Sequence, residues 1–140
     1  MRLEHINLVV SDLDKTLTFY QAAFPHWHVR GQGQMNWYGK DRRWLHFGDD
    51  EQYITFNDGG EGENRDLSSQ QLGLAHFAFT TSNLQSLIDR LKQAGFTRSS
   101  GGKQLTGRRN AYFIDPTGFE VEFVQYTADD PAIRNLYEDE

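Results

Sequence analysis

The chain repeats itself. Leu3-Glu4-His5 falls on Leu74-Ala75-His76, Ser11 on Ser82 and Leu13 on Leu84, all at one constant offset within 140 residues. Self-similarity at a fixed spacing is the mark of one supersecondary unit used more than once. It restricts the fold to those that two similar modules can share. Each copy opens on a strand, passes a cap residue and enters an amphipathic helix, and each histidine holds the same place in its strand.

In the first copy Ile6, Leu8 and Val10 alternate with His5, Asn7 and Val9. One sheet face is therefore apolar and the other carries polar groups. Ser11 or Asp12 caps a helix whose Leu13, Leu17, Tyr20 and Phe24 recur at helical spacing until Pro25 closes it. In the second copy Phe77 and Phe79 alternate with His76, Ala78 and Thr80. Ser82 with Gln85 reads as a capping box before Leu84, Leu87, Ile88 and Leu91, and Gly95 ends the helix. Shorter strands follow each helix: Trp27 to Gly31, Arg43 to Gly48 and Glu51 to Asn57, then around Thr97, Arg109 to Ile114 and Val121 to Gln125. Each half reads strand, helix, three strands, an α+β fold.

A single domain over residues 1–126 is expected, with module 1 at about 1–57, an inter-module loop at 58–72 and module 2 at about 73–126. The loop is rich in Gly, Asn, Asp and Ser and holds almost nothing apolar, so it is free to move. Residues 127–140 form an acidic tail. In it Asp130 before Pro131, then Ile133, Leu136 and Tyr137, predicts a short capped helix that covers a pocket mouth or a dimer contact.

Composition narrows the chemistry. With no cysteine, disulfides, thiolate nucleophiles and Cys-type zinc sites are excluded, and any metal must use His, Asp or Glu. A net charge of -6 argues against a sequence-independent grip on nucleic acid, which is built on clustered Lys and Arg. No apolar run approaches the roughly 20 residues of a membrane helix, and Met1 to His5 lack a signal-peptide layout. The expectation is a cytoplasmic protein acting on a small molecule.

Near the end of the chain, Asp115-Pro116-Thr117-Gly118 forms a turn leading into Phe119-Glu120-Val121-Glu122-Phe123. Val121 and Phe123 take the buried side, so Glu120 and Glu122 share the other face. A carboxylate among Val121, Phe123 and Val124 is costly unless paired or bound to metal. His5, His76 and Glu122 all lie on the less apolar face of their strands. Three such ligands leave open coordination positions, as a catalytic site requires.

These residues resemble the vicinal oxygen chelate superfamily, which includes glyoxalase I, bleomycin-resistance proteins, fosfomycin-resistance enzymes and extradiol dioxygenases. The resemblance runs from Met1 to about Tyr126. It is carried by His5-Ile6-Asn7-Leu8-Val9-Val10-Ser11-Asp12-Leu13, by Gly73-Leu74-Ala75-His76-Phe77-Ala78-Phe79, and by the run from Tyr112 through Asp115-Pro116-Thr117-Gly118 to Glu122. It implies two tandem βαβββ modules forming a half-open barrel around one divalent metal (Fe, Mn, Zn or Ni). The metal, held by His5, His76 and Glu122, would chelate two neighbouring oxygens of a substrate as a Lewis acid. It also implies a homodimer.

Departures from individual members sort the reactions. Thr55 stands where glyoxalase I has a fourth ligand, a glutamate, and Val9 where it has a glutathione-binding arginine, which argues against that activity. Asn7 replaces a threonine of the fosfomycin enzymes. Tyr112 matches the active-site tyrosine of extradiol dioxygenases, but Arg108-Arg109 occupies the region of the histidine they place before it. Isomerase, lyase, transferase and dioxygenase chemistry stay open.

Each residue has a plainer alternative. Tyr112 is a proton donor to a metal-bound oxygen or a half-buried sheet aromatic. Asn7 and Thr55 are candidate pocket groups, and Glu120 is the nearest rival to Glu122. Lys103, Arg108 and Arg109 bind an anionic substrate or form a solvated basic loop. His26, His28 and His46 are surface or supporting residues unless one faces the pocket. Trp27, Trp37 and Trp44 line a pocket or a dimer seam. The competing function is a metal-free binding protein of the bleomycin-resistance type, holding a planar or aromatic ligand.

Overall fold

The computed structural model describes residues 1–137, with Lys103 and Gln104 given by their backbone alone. The chain divides into two compact units, Met1–Glu63 and Asn64–Glu140. The boundary falls inside the expected loop. Residues 58–63 belong to the first unit, where Gly60 N–H donates to Val10 C=O at 2.8 Å. Residues 64–72 belong to the second, where Asn64 Nδ2 donates to Gly118 C=O at 2.9 Å and Arg65 donates to the Gln71 and Ser69 carbonyls.

The first unit runs β1 (His5–Val9), α1 (Leu13–Ala23), β2 (His28–Trp37), β3 (Lys40–Gly48) and β4 (Tyr53–Asn57). The sheet order is β1-β4-β3-β2, with β1 and β4 parallel and the other pairs antiparallel. The apolar alternation has the expected result. Leu8, Leu45, Phe47, Ile54 and Phe56 are buried together with Leu13, Phe19, Tyr20 and Ala23 of α1. Burying each large side chain is worth about 2–3 kcal/mol. The cap is Asp12, whose Oδ1 accepts from Lys15 N–H at 3.0 Å.

The second unit repeats the plan with β5 (Phe77–Thr80), α2 (Leu84–Gln93), β6 (Ser100–Leu105), β7 (Arg108–Ile114) and β8 (Glu120–Tyr126), then α3 (Pro131–Arg134). Its order is β5-β8-β7-β6, again with the first pair parallel. Phe77, Ala111, Phe113, Val121 and Phe123 are buried with Leu84, Leu87 and Leu91 of α2. Both units are thus four-stranded mixed sheets backed by a helix.

Three local expectations change. The cap of α2 is Asn83 rather than Ser82, because Asn83 Oδ1 accepts from Ser86 N–H at 3.0 Å and starts the helix one residue later. Its other end is as expected: Gly95 takes φ 94°, Gly95 N–H bonds Lys92 C=O, and Phe96 N–H bonds Leu91 C=O. Strand β6 begins at Ser100 rather than around Thr97. Strands β2 and β3 are longer than expected and join through Tyr38-Gly39, with φ 53° and 85°. That is the type I′ hairpin signature. Gly31 and Gly33 interrupt the apolar alternation of β2, and the Trp44 indole fills the gap, lying 3.1 Å from where a Cβ on Gly33 would be.

Helix α3 forms as predicted, Asp130 Oδ1 accepting from Ala132 N–H at 2.9 Å. The Arg134 guanidinium lies 4.0 Å from the centre of the Tyr126 ring, and that of Arg108 lies 5.7 Å from Tyr137. The tail therefore packs on the end of β7 and β8. Its last residues, Glu138 to Glu140, lie outside those described. Among the described residues no helix is long and apolar enough to cross a membrane.

Candidate functional site

In the second unit, β8 alternates. Val121, Phe123 and Gln125 face the helix, and Glu120, Glu122, Val124 and Tyr126 face the other side. Antiparallel pairing sets Tyr112 opposite Glu122 and Asn110 opposite Val124 on that open face, while parallel pairing sets Ala78 opposite Glu122. His76 immediately precedes β5. Its Nε2 is 3.3 Å from Glu122 Oε2, and its Nδ1 is 3.7 Å from Glu120 Oε1. Asn110 Nδ2 donates to Glu122 Oε1 at 3.1 Å, and the Tyr112 ring meets the His76 ring edge-on at 5.5 Å. Glu122 is the better shielded carboxylate, its side chain 14% exposed against 25% for Glu120.

The same alternation sorts the arginines. Arg109 pairs with Gln125 and shares the helix-facing side with Ala111 and Phe113. It is therefore turned away from Glu122. Arg108 is on the open face but stacks towards the tail. Lys103 has its side chain outside those described.

In the first unit, His5, Asn7 and Val9 share a face with Tyr53, Thr55 and Asn57 of β4 and with Trp44 and His46 of β3. His5 Nδ1 donates to Glu4 Oε1 at 2.9 Å and its ring stacks on Tyr53 at 4.7 Å. Tyr53 in turn stacks on His46 at 4.5 Å, His46 lies 5.1 Å from Trp44, and the Arg30 guanidinium sits 4.5 Å from the Tyr53 ring centre. Hydrogen bonds from His5 and Tyr53 hold the Glu4 carboxyl below its ordinary pKa. Burial pushes His46 below the usual imidazole value, with Arg30 and His5 adding repulsion of its charge. Asn57 Nδ2 donates to Asn7 Oδ1 at 2.6 Å, and Thr55 is buried between Asn7 and His46.

Comparing registers places the two units on one template. Asn7 pairs with Thr55 and Thr55 with His46; at the corresponding places Ala78 pairs with Glu122 and Glu122 with Tyr112. Thr55 is thus the first unit's counterpart of Glu122, and His46 the counterpart of Tyr112. Sequence reasoning left His46 aside and missed Tyr53, Arg30 and Asn110. Strand parity counted from Thr55 and Glu122 would have found them, apart from Arg30, which sits at the β-bulge between Val29 and Gly31.

The donor chemistry fits a divalent metal in part. Two ligand atoms 3.3 Å apart, each about 2.1 Å from a metal, subtend roughly 100°, within the tetrahedral and octahedral range. His5 has the Glu4 carboxylate hydrogen-bonded at Nδ1, the kind of outer partner that orients a ligating imidazole with Nε2 outward, whereas Glu120 lies beside His76 Nδ1 at 3.7 Å, beyond hydrogen-bond reach. Within the described residues, no three His, Asp or Glu side chains form a cluster able to hold a metal. The second unit by itself supplies His76 and Glu122, and His5, paired with Glu4, belongs to the first unit.

The family profile described as "Glyoxalase/Bleomycin resistance protein/Dioxygenase superfamily" matches residues 2–123. No functionally curated protein shows significant similarity to the chain. Among solved structures, a glyoxalase family protein from Bacillus cereus superposes with TM-score 0.75 at 12% identity, covering 91% of this chain and 95% of that one. A glyoxylase/bleomycin resistance protein/dioxygenase domain from Frankia sp. EAN1pec gives 0.74 at 20% identity, covering 94% and 96%. The fosfomycin resistance protein FosX from Listeria monocytogenes, complexed with Mn(II) and sulfate, gives 0.66 at 22% identity, covering 94% and 97%.

Proposed function

The chain belongs to the glyoxalase/bleomycin resistance protein/dioxygenase superfamily, and on that premise we propose that it is a divalent-metal-dependent enzyme acting on a small oxygen-rich substrate. The observation that carries this reading is the convergence of His76 Nε2 and Glu122 Oε2 at 3.3 Å, with the second carboxylate oxygen held by Asn110. His76, Glu122 and His5 are the proposed ligands, for Fe, Mn, Zn or Ni. Such a metal supplies Lewis acidity to two adjacent oxygens of the substrate. Mn(II) in the FosX complex is in keeping with that set.

The chain's own groups divide the remaining work. Glu4 orients the His5 imidazole, Glu120 adds a negative charge beside His76, and Asn110 orients the Glu122 carboxylate. Tyr112, paired opposite Glu122 on the open face, donates a proton from its hydroxyl to a substrate oxygen in this reading, which the shared face supports. Asn7 and Thr55 bind the substrate by hydrogen bonds. Arg109 has no part, since its strand face is the wrong one. We place the enzyme in the cytoplasm as a homodimer, the latter checked by its mass in solution.

The test is elemental analysis of protein purified without added metal or chelator, beside His76→Ala. About one metal per chain, lost in the variant, supports the reading. Protein that neither carries nor takes up metal overturns it. The alternative is then a metal-free binder of a planar ligand. That reading is favoured by one feature, the stacked rings of His46, Tyr53 and His5, with the Trp44 indole tilted beside His46.

A further inference from the structure

We propose that the first unit carries a separate, metal-independent site for a small molecule bearing a carboxylate or phosphoryl group, built on Arg42 beneath the β2–β3 hairpin. The site follows from unequal strand lengths. β2 and β3 stay paired as far as Trp37 and Lys40, whereas β4 leaves β3 at Trp44. The hairpin overhangs by several residues, and the segment following β4 runs under it. Lys40 Nζ clamps that segment by donating to Gly59 C=O and Glu61 Oε1, both at 2.9 Å. Between them lies an open-sided cavity of about 400 Å³, lined by Val9, Trp37, Tyr38, Arg42, Gly60 and Glu61 in addition to Lys40. That volume is in the range of small-ligand sites.

The positive groups around the cavity are not equivalent. Lys40 is engaged by its clamp, and Arg43, on the opposite strand face, lies 3.3 Å from Asp14 and 4.0 Å from Asp58. Arg42 has no carboxylate within ion-pair distance among the described residues, although its charge helps to keep Glu61 ionised from farther off. Its guanidinium lies 4.8 Å from the centre of the Trp37 ring, and its Nε is sealed from solvent with no acceptor. A guanidinium held against an indole keeps its fork in one plane, and that fork matches two oxygens of one anion. With Nε enclosed, the terminal guanidinium nitrogens are the donors left for an anion in the cavity. Val9 and the Trp37–Tyr38 pair, stacked at 5.8 Å, offer apolar surface for the body of the ligand. Tyr38 holds a left-handed backbone, φ 53°, that ordinary side chains avoid, and so presents a 96% exposed ring at the hairpin tip.

All the lining residues belong to the first unit. Val9 shares the face of His5 but lies about 13 Å from it along the strand, so binding does not rest on the metal reading. Glu61, held below the usual carboxylate range by its bond to Lys40 and in smaller part by Arg42, lines the cavity and disfavours a second negative charge.

The experiment is an amide and indole N–H NMR titration of the full chain, dialysed against chelator, with benzoate, phenyl phosphate and neutral benzamide as probes. Saturable shifts of the Trp37 indole and the Tyr38 and Gly60 amides with at least one anion are expected, with benzamide at least about tenfold weaker. Arg42→Gln should weaken the anion about tenfold while leaving distant resonances in place, and Arg42→Lys should recover only part, having charge without the fork. Glu61→Gln should tighten binding about threefold by removing a repelling charge. The stronger of the two anions identifies the group. Equal binding of benzamide, shifts that survive Arg42→Gln, or no response to either anion would overturn the proposal.

Discussion

His76 Nε2 and Glu122 Oε2 approach to 3.3 Å from adjacent parallel segments, while Asn110 takes the other oxygen of the same carboxylate. The asymmetry yields a graded expectation. On the proposed metal reading, Glu122→Gln removes a proposed ligand and should abolish metal retention, whereas Asn110→Ala keeps that carboxylate but frees its rotation and should weaken affinity by about 10–100-fold. Competition against a chelator of known affinity measures both. Wild-type affinity in Asn110→Ala would remove it from the site.

Asp115 holds the turn that delivers Glu122. It is 4% exposed, and its Oδ1 accepts from the backbone N–H groups of Thr117, Gly118 and Phe119. Asp115→Ala takes this acceptor from Thr117 and Phe119, while Gly118 N–H keeps its bond to the Asp115 carbonyl at 3.0 Å, and should cost about 2–3 kcal/mol in urea unfolding. A loss under about 1 kcal/mol would mean water replaces the carboxylate at no great cost.

Gly48 ends β3, paired with Tyr53 of β4. A Cβ there would run into Gln52 C=O and lie 2.5 Å from Tyr53 Cβ. Gly48→Val should therefore destabilise the first unit by about 3 kcal/mol, because backbone as well as side chain must shift. Thermal unfolding measures the loss, and an unchanged midpoint would contradict the packing.

His46 makes stability pH-dependent. Burial, aided by Arg30, holds its pKa below the ordinary 6.5, so the unfolded chain takes up the proton more readily. The contribution is complete above that value and is lost as pH falls through the window between it and the lower folded value. Metal-free protein should lose melting temperature from pH 7.5 to 5.5, and His46→Gln should flatten the slope. Equal slopes in the two proteins would assign the effect elsewhere.

The strands and helices that alternate cleanly were legible. Ile6, Leu8 and Val10, and Val121 and Phe123, each define a buried face and so its opposite, which is how His5, Glu120 and Glu122 could be placed. The hairpin tip was not, because Gly31 and Gly33 erase the alternation that Trp44 restores from the neighbouring strand. Arg109 was a matter of parity by one residue: without the register to Gln125, neighbouring arginines on one strand cannot be told apart. Asn83 took the cap from Ser82 because both are good cap residues one position apart.

Helices α1 and α2 are each also fastened at the start by a side chain from the end of the last strand of their module or just after it. Leu13 N–H donates to Asp58 Oδ1 at 3.1 Å, and Leu84 N–H donates to Gln125 Oε1 at 2.8 Å, spanning 45 and 41 residues. The first turn of a helix ordinarily frays alone. Here its opening must break a tie to the far end of the module, so hydrogen exchange at Leu13 and Leu84 should track the unfolding of a whole module rather than local breathing. The duplicated motif behaves as a closed ring of contacts, and each copy should come apart as one cooperative piece.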